Sequence, residues 1–441
     1  MPSFIAIANF IGFDQPGGNA APVGSLIFEP ASSVASGQIN ANKPLDQNFT
    51  FTRASTATFL GSNNLLQTAA SGMPRIDYVG DSSGHILLEP ARTNEFLQSN
   101  NLSNNTWWSD RNGVVSKNIV SPTGTSNDAW TLTTNSGGQN LRVGMRMRNN
   151  GTNNITIPAG TSKTFSVFVK KSSYDFIYFN STNFQLDMRG DSFFNISNGT
   201  LGTVSSNNSN QKIEDYGNGW YRLSVTVTAP ANPTDNVGQI NWYVADSDNT
   251  FFVTADGTST SFWYGGQIEV GEYGTSYIET DTTSVTRATE RASDAGNSTL
   301  FNDSEGVLFI ETAALFNDTI NRYIGLNDGT TSNRVLIGYS TQTNRIRALL
   351  SAGGVLKADI SYDVTDRTNF SKMAVKYKEN DVALWVDGVE RGTDTTATMP
   401  SGLDELDCNS GAGSSPFLGK IKQIKVYNTA LTDAELATLT T

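Results

Sequence analysis

The 441-residue chain has little of what most enzyme chemistry draws on. It holds one cysteine, Cys408, and one histidine, His85. A single cysteine excludes an internal disulfide, and the two residues together are too few for a four-ligand zinc site. A histidine-dependent triad would have to use His85, which sits in Ser83-Gly84-His85-Ile86 and reads as an ordinary turn or surface residue entering a strand. There is no basic run, and the formal net charge is −12. Neither nucleic acid nor an anionic membrane surface would find the Lys/Arg face it needs. No stretch approaches the ~18 apolar residues of a bilayer span, so no membrane insertion is expected. No solenoid period is visible either. The apolar start, MPSFIAIANFIGFDQPGG, lacks a positive leader and a small-residue cleavage pattern, so it reads as a strand-like anchoring segment.

What is present points to strands. Asn, Ser, Thr and Gly abound, a texture of turns and polar strand faces rather than long helices. Aromatic residues are too many for a disordered chain. The length suggests about three units. Residues 1–50 are Gly/Pro/Ala-rich and weakly patterned, and 51–100 form a turn-rich shoulder. Residues 101–294 then show strand after strand, including TFSVFVKK, YDFIYFNST and GWYRLSVTVTAP, at the spacing of a β-sandwich. YDFIYFNST carries aromatics at both parities and so reads as a strand covered on both sides.

Residues 295–441 repeat that style. KMAVKYKENDVALWVDGVERG is its clearest hairpin. With the turn at Glu379-Asn380, Tyr377 faces Val382, Val375 faces Leu384 and Met373 faces Val386, all apolar. The other face holds Lys376 and Trp385, and Asp387-Gly388 makes a second tight turn of type I′. Asp328-Gly329 also reads as a hairpin turn. Thr432-Asp433-Ala434-Glu435 matches a capping box and opens a short C-terminal helix.

Two blocks are familiar. RASTATFLGSNNLLQTA and PRIDYVGDSSGHILLEPARTN, taken with GQIEVGEYGTSYIETDTTSVTRATERASD, resemble a jelly-roll, carbohydrate-binding-like module of bacteriophage virion proteins. EGVLFIETAALFNDTINRYIGLNDGTTSNRVLIGYS, ALWVDGVE and IKVYNTALTDAELATL resemble a laminin-G/concanavalin-A-like lectin sandwich. The resemblance implies an all-β chain of tandem β-sandwiches, jelly roll then concanavalin-A-like, behind an irregular N-terminal segment that anchors to the particle. It implies a virion fibre or spike subunit, in head or tail, exposed on the particle and not an enzyme. Its partners would be other virion proteins, a host cell-surface glycan and two further copies in a homotrimer. A capsid-decorating component that binds no sugar is the structural alternative. A polysaccharide-degrading tailspike is a further one, with Glu269, Glu272 and Glu279 as candidate carboxylates. Some sandwich lectins hold calcium between acidic loops, but Asp328, Asp363 and Asp366 are scattered here, so no metal and no cofactor are expected.

Sugar binding needs exposed aromatic faces beside polar side chains. Trp107 and Trp108 cannot both point inward from one strand, and the resemblance places one in the core, leaving Trp107 to face outward. Tyr243 shares its parity with Asn241, opposite Trp242, and so faces outward too. Trp385 lies beside Lys376 on the polar hairpin face. Trp385, Trp107 and Tyr243 are therefore the expected ligand-binding residues, with burial under a loop or against a neighbour as the competing outcome. Within Gly266–Asp294, Arg287 and Arg291 have Glu279 and Glu290 as possible partners. Arg53 opens the module with a similar Arg-Ala, so this stretch reads as the seam where the module's two ends meet.

Overall fold

The computed structural model describes the strand Leu26–Phe28 and residues 49–441. The anchoring role expected of residues 1–50 falls almost entirely outside them. The described chain is all-β, with two sandwiches and one α-helix, Asp433–Leu439.

The first sandwich is the expected jelly-roll region. Its six-stranded sheet runs, in spatial order, through Ser209–Asp215, Trp220–Thr228, Ser162–Lys170, Thr260–Val270, Ala129–Thr134 and Gly113–Ile119. It packs on a seven-stranded sheet centred on Phe176–Thr182 and Val237–Ala245. Strand alternation sends Phe165, Val167, Ile177, Phe179, Trp242 and Trp263 into the core between them. Strand Thr260–Val270 needs a double glycine midway. Gly265 takes φ +48° at a β-bulge, and a Cβ there would lie 2.8 Å from the Tyr277 ring. A Cβ on Gly266 would lie 2.5 Å from Trp108 on the other side.

The second sandwich faces an eight-stranded sheet against a five-stranded one. The hairpin register is as expected: Val375 pairs with Leu384 and Met373 with Val386. Asp387 and Gly388 both have positive φ, as a type I′ turn requires. Asp328-Gly329 lies in the loop joining the paired strands Arg322–Asn327 and Arg334–Tyr339. The capping box also forms, Thr432 Oγ1 accepting from the Glu435 N–H.

The segment 51–100 is not a separate shoulder. Strand His85–Leu88 pairs with Gly419–Tyr427 and so belongs to the eight-stranded sheet. Hairpin Ala57–Leu60/Leu66–Ala69 belongs to the other sandwich, where Leu60, Leu66 and Val79 cover Phe168, Trp220 and Tyr264 on the outer face of the six-stranded sheet. Leu26–Phe28 pairs with Gly419–Tyr427 at Ile424–Val426, beyond the stretch held by His85–Leu88. His85 is accordingly not a surface residue. It is fully buried, with Nδ1 3.4 Å from Asp81 Oδ2 and the Phe370 ring 5.7 Å away. Burial pushes its pKa down.

The seam itself is ionic and dry. Arg53 Nη1 donates to Glu290 Oε1 at 2.7 Å, so the module's two ends do meet. Arg75 bridges Glu290 at 2.5 Å and Glu89 at 2.8 Å, and Arg287 reaches Glu89 at 3.0 Å. All five side chains are buried. Glu290 also accepts the Glu89 N–H, and Glu89 accepts the N–H and hydroxyl of Ser276. Burial by itself would raise the Glu89 carboxyl, but Arg287 and Arg75 hold it well below the carboxylate range. Arg291 stands apart and donates to the Gly413 carbonyl.

Candidate functional site

The expected site residues lie apart from one another, and two of the three are covered. Trp385 is 7% exposed. It does share a face with Ala374 and Ala383, but Leu436 and its helix pack over that face. Tyr243 has the expected parity, opposite Trp242, yet it is 2% exposed. It packs with Tyr178, Phe193 and Phe251, and the Arg142 guanidinium lies 5.9 Å from its ring centroid. Alternation chose the face correctly in both cases, and a later segment then covered that face. Trp107 is half-buried and sits edge-on to Phe96, while Trp108 is the core residue of the pair.

The carboxylates of the Gly266–Asp294 stretch fall into different environments. Glu269 is fully buried and accepts from Gln267, from the Thr275 N–H and from the Thr275 hydroxyl, so it is structural. Glu272 is exposed. Glu279 lines an open groove of about 730 Å³.

That groove is the best-formed candidate site among the described residues. One wall is the run Glu279-Thr280-Asp281-Thr282-Thr283, which continues from the seam and bends at its last three residues. Another is the turn Gln98–Asn101. Strands Ala129–Thr134 and Gly113–Ile119 supply Trp130 and Lys117. Trp130 belongs to the core of the first sandwich, and its Nε1–H donates to the Asn100 carbonyl at 3.0 Å. It is only 7% exposed, as covered as Trp385, and its indole meets the groove along one edge. The Lys117 ammonium lies 6.0 Å from the Trp130 centroid and 2.9 Å from Asp128. Gln98 donates to Asp281 at 2.5 Å and Asn101 donates to Gln98 at 3.1 Å. Glu279 is exposed as a residue, but partial burial of its carboxyl, with Asp128 nearby, raises its pKa. Sequence reasoning passed over Trp130, Asn100 and Asp281. The one sign it offered was Asn127-Asp128-Ala129-Trp130, a tryptophan directly after polar turn residues.

Carboxylates converge at a second place. Asp294, Glu405 and Asp407 bring oxygens within 4.8 Å of one another, whereas Asp328, Asp363 and Asp366 remain scattered. Asp407 already accepts from Asn327 and from the Asp294 N–H. Nothing else in the described residues marks this triplet as a cation site.

Residues 312–437 match the family described as the concanavalin A-like lectin/glucanases superfamily. The second sandwich is therefore of the concanavalin-A-like kind. No curated protein matches the chain. Solved structures resemble about a third of it. A CBM40 of the Ruminococcus gnavus IT-sialidase, bound to α2,3 sialyllactose, is 19% identical, with a TM-score of 0.29 over 33% of this chain and 86% of that one. Domain 4 of an extracellular arabinanase from Geobacillus stearothermophilus, in complex with arabinotriose, is 12% identical, with a TM-score of 0.29 over 38% and 82%. The NanB sialidase of Streptococcus pneumoniae is 16% identical over 32% of this chain, with a TM-score of 0.28, and only 25% of that longer protein is covered.

Proposed function

We propose that the chain is a non-catalytic glycan-binding protein: an exposed fibre or spike subunit of a bacteriophage virion that attaches to a host surface glycan. The observation that carries the binding part is the groove at Trp130. An aromatic edge lies there beside amides, hydroxyls and carboxylates that can meet sugar hydroxyls. The virion role rests on the sequence resemblance, as do the homotrimer and docking through the N-terminal segment. Weak single-site binding suits such an assembly, because repeated copies raise avidity.

Two other readings have distinct signatures. A capsid-decorating protein would bind no sugar. A polysaccharide hydrolase is favoured by one observation: Glu279, with its raised pKa, shares the groove with Asp281.

The test compares wild type with Thr283→Arg, an exposed groove residue replaced by one that fills it. Binding to host cells and to a glycan array should fall at least about tenfold in the variant, with unchanged melting. A well-folded wild type that binds nothing would favour the decorating protein. Release of reducing sugar would favour the hydrolase.

A further inference from the structure

The charged groups in the groove say what kind of sugar it suits, given that it binds a glycan at all. The described lining residues include Glu279 and Asp281 against one cation, Lys117. That cation is already neutralised by Asp128 at 2.9 Å. No arginine is among the described lining residues. A sialic or uronic acid would bring a third carboxylate to two that have no free counter-charge, and like charges brought together cost affinity. A neutral sugar would strip water from Glu279 and Asp281 without replacing it by a charge.

Hydrogen-bond capacity points the same way. Asn100 places its side-chain amide beside Glu279, and its Oδ1 is buried and does not face the groove's solvent. Gln98 spends its amide N–H on Asp281 and its oxygen on Asn101. Among the described residues no ion pair engages the exposed carboxylates of Glu279 and Asp281, which remain the groove's charged acceptors. An ammonium supplies three donors and no acceptor. The Lys117 ammonium near the Trp130 ring shows that a cation can rest at this wall.

We propose that the groove selects a glycan bearing a free, protonated amino group: an amino sugar that is not N-acetylated. The test titrates the full chain with three probes, a glucosamine tetramer, its fully N-acetylated counterpart and sialyllactose. It runs at about pH 6, below the pKa of an amine. The glucosamine tetramer should bind at least about tenfold more tightly than either other probe. Glu279→Gln with Asp281→Asn should remove that preference, and added salt should weaken binding. A charge-matched pair of exposed changes outside the groove, Asp110→Asn with Glu379→Gln, should leave it intact. Equal weakening by the outside pair would mean attraction to net charge alone and would overturn the proposal. Equal or tighter binding of the N-acetylated tetramer or sialyllactose, blocked by Thr283→Arg, would also overturn it while the glycan site stood. If no probe binds and Thr283→Arg leaves cell attachment unchanged, this proposal and the glycan site fail together.

Discussion

At the scale of single residues, the seam shows how costly charge can be kept dry. Two glutamates and three arginines are buried together, and each carboxylate meets at least two guanidinium groups. Removing one partner strands the others. Glu290→Gln should therefore cost about 3 kcal/mol or more in urea unfolding at neutral pH. A loss below about 1 kcal/mol would mean water reaches the cluster. The pH dependence has a definite sign. The folded Glu89 pKa lies below its ordinary 4.5, so its contribution is fully present above that value. It is lost as pH falls from there toward the depressed folded value. Melting temperature should drop on acidification below about pH 4.5, and Glu89→Gln should lower stability at pH 7 and flatten that acid limb. Burial raises the Asp407 and Asp77 pKa values, so their protonation offsets part of the loss.

At the scale of elements, local signals read well wherever they concern the backbone. The hairpin register, the type I′ turn at Asp387-Gly388 and the capping box at Thr432 all follow from residue types a few positions apart. What those signals omit is the next layer. The register puts Trp385 on the polar face and the capping box opens the helix, but nothing in the spacing says that the helix lies on the tryptophan. Thr432→Ala should cost about 1 kcal/mol through the lost cap. Leu436→Ala, at a fully buried position, should cost about 2–5 kcal/mol. Ending the chain before Thr432 should shift tryptophan emission to the red as Trp385 meets water. Unchanged emission would mean the helix is not its cover. The type I′ turn makes its own prediction. A residue with a Cβ at Gly388, φ +79°, is strained, and its Cβ would also lie 2.9 Å from Thr441 Oγ1, so Gly388→Val should be less stable than Gly388→Ala.

At the scale of the whole molecule, the short segment of residues 57–88 contributes to both sandwiches. Leu60, Leu66 and Val79 roof the first sandwich, while Ile86 and Leu88 enter the core of the second. The chain from residue 49 should melt in one calorimetric transition. A fragment of residues 101–294 would expose Phe168, Trp220 and Tyr264, and should bind a hydrophobic dye and aggregate. Two independent transitions in the longer chain would contradict this coupling.

The all-β class, the hairpin and the helix were legible in the sequence, because alternation and turn chemistry act between near neighbours, while the order of the two sandwiches came from the family resemblance. The meeting of the module's two ends was legible too, since similar Arg-Ala pairs stand at both, but the partners were not: Glu290 takes Arg53 and Arg75, Arg287 takes Glu89, and Arg291 takes a backbone carbonyl. The burial of His85, the covering of Tyr243 and Trp385, and the groove at Trp130 were not. A period of two tells which side of a strand a side chain takes, but not what lies on that side. Gln98, Lys117, Trp130 and Asp281 come from separate stretches of the chain, and only the folding of the sheet edge against the seam brings them to one groove.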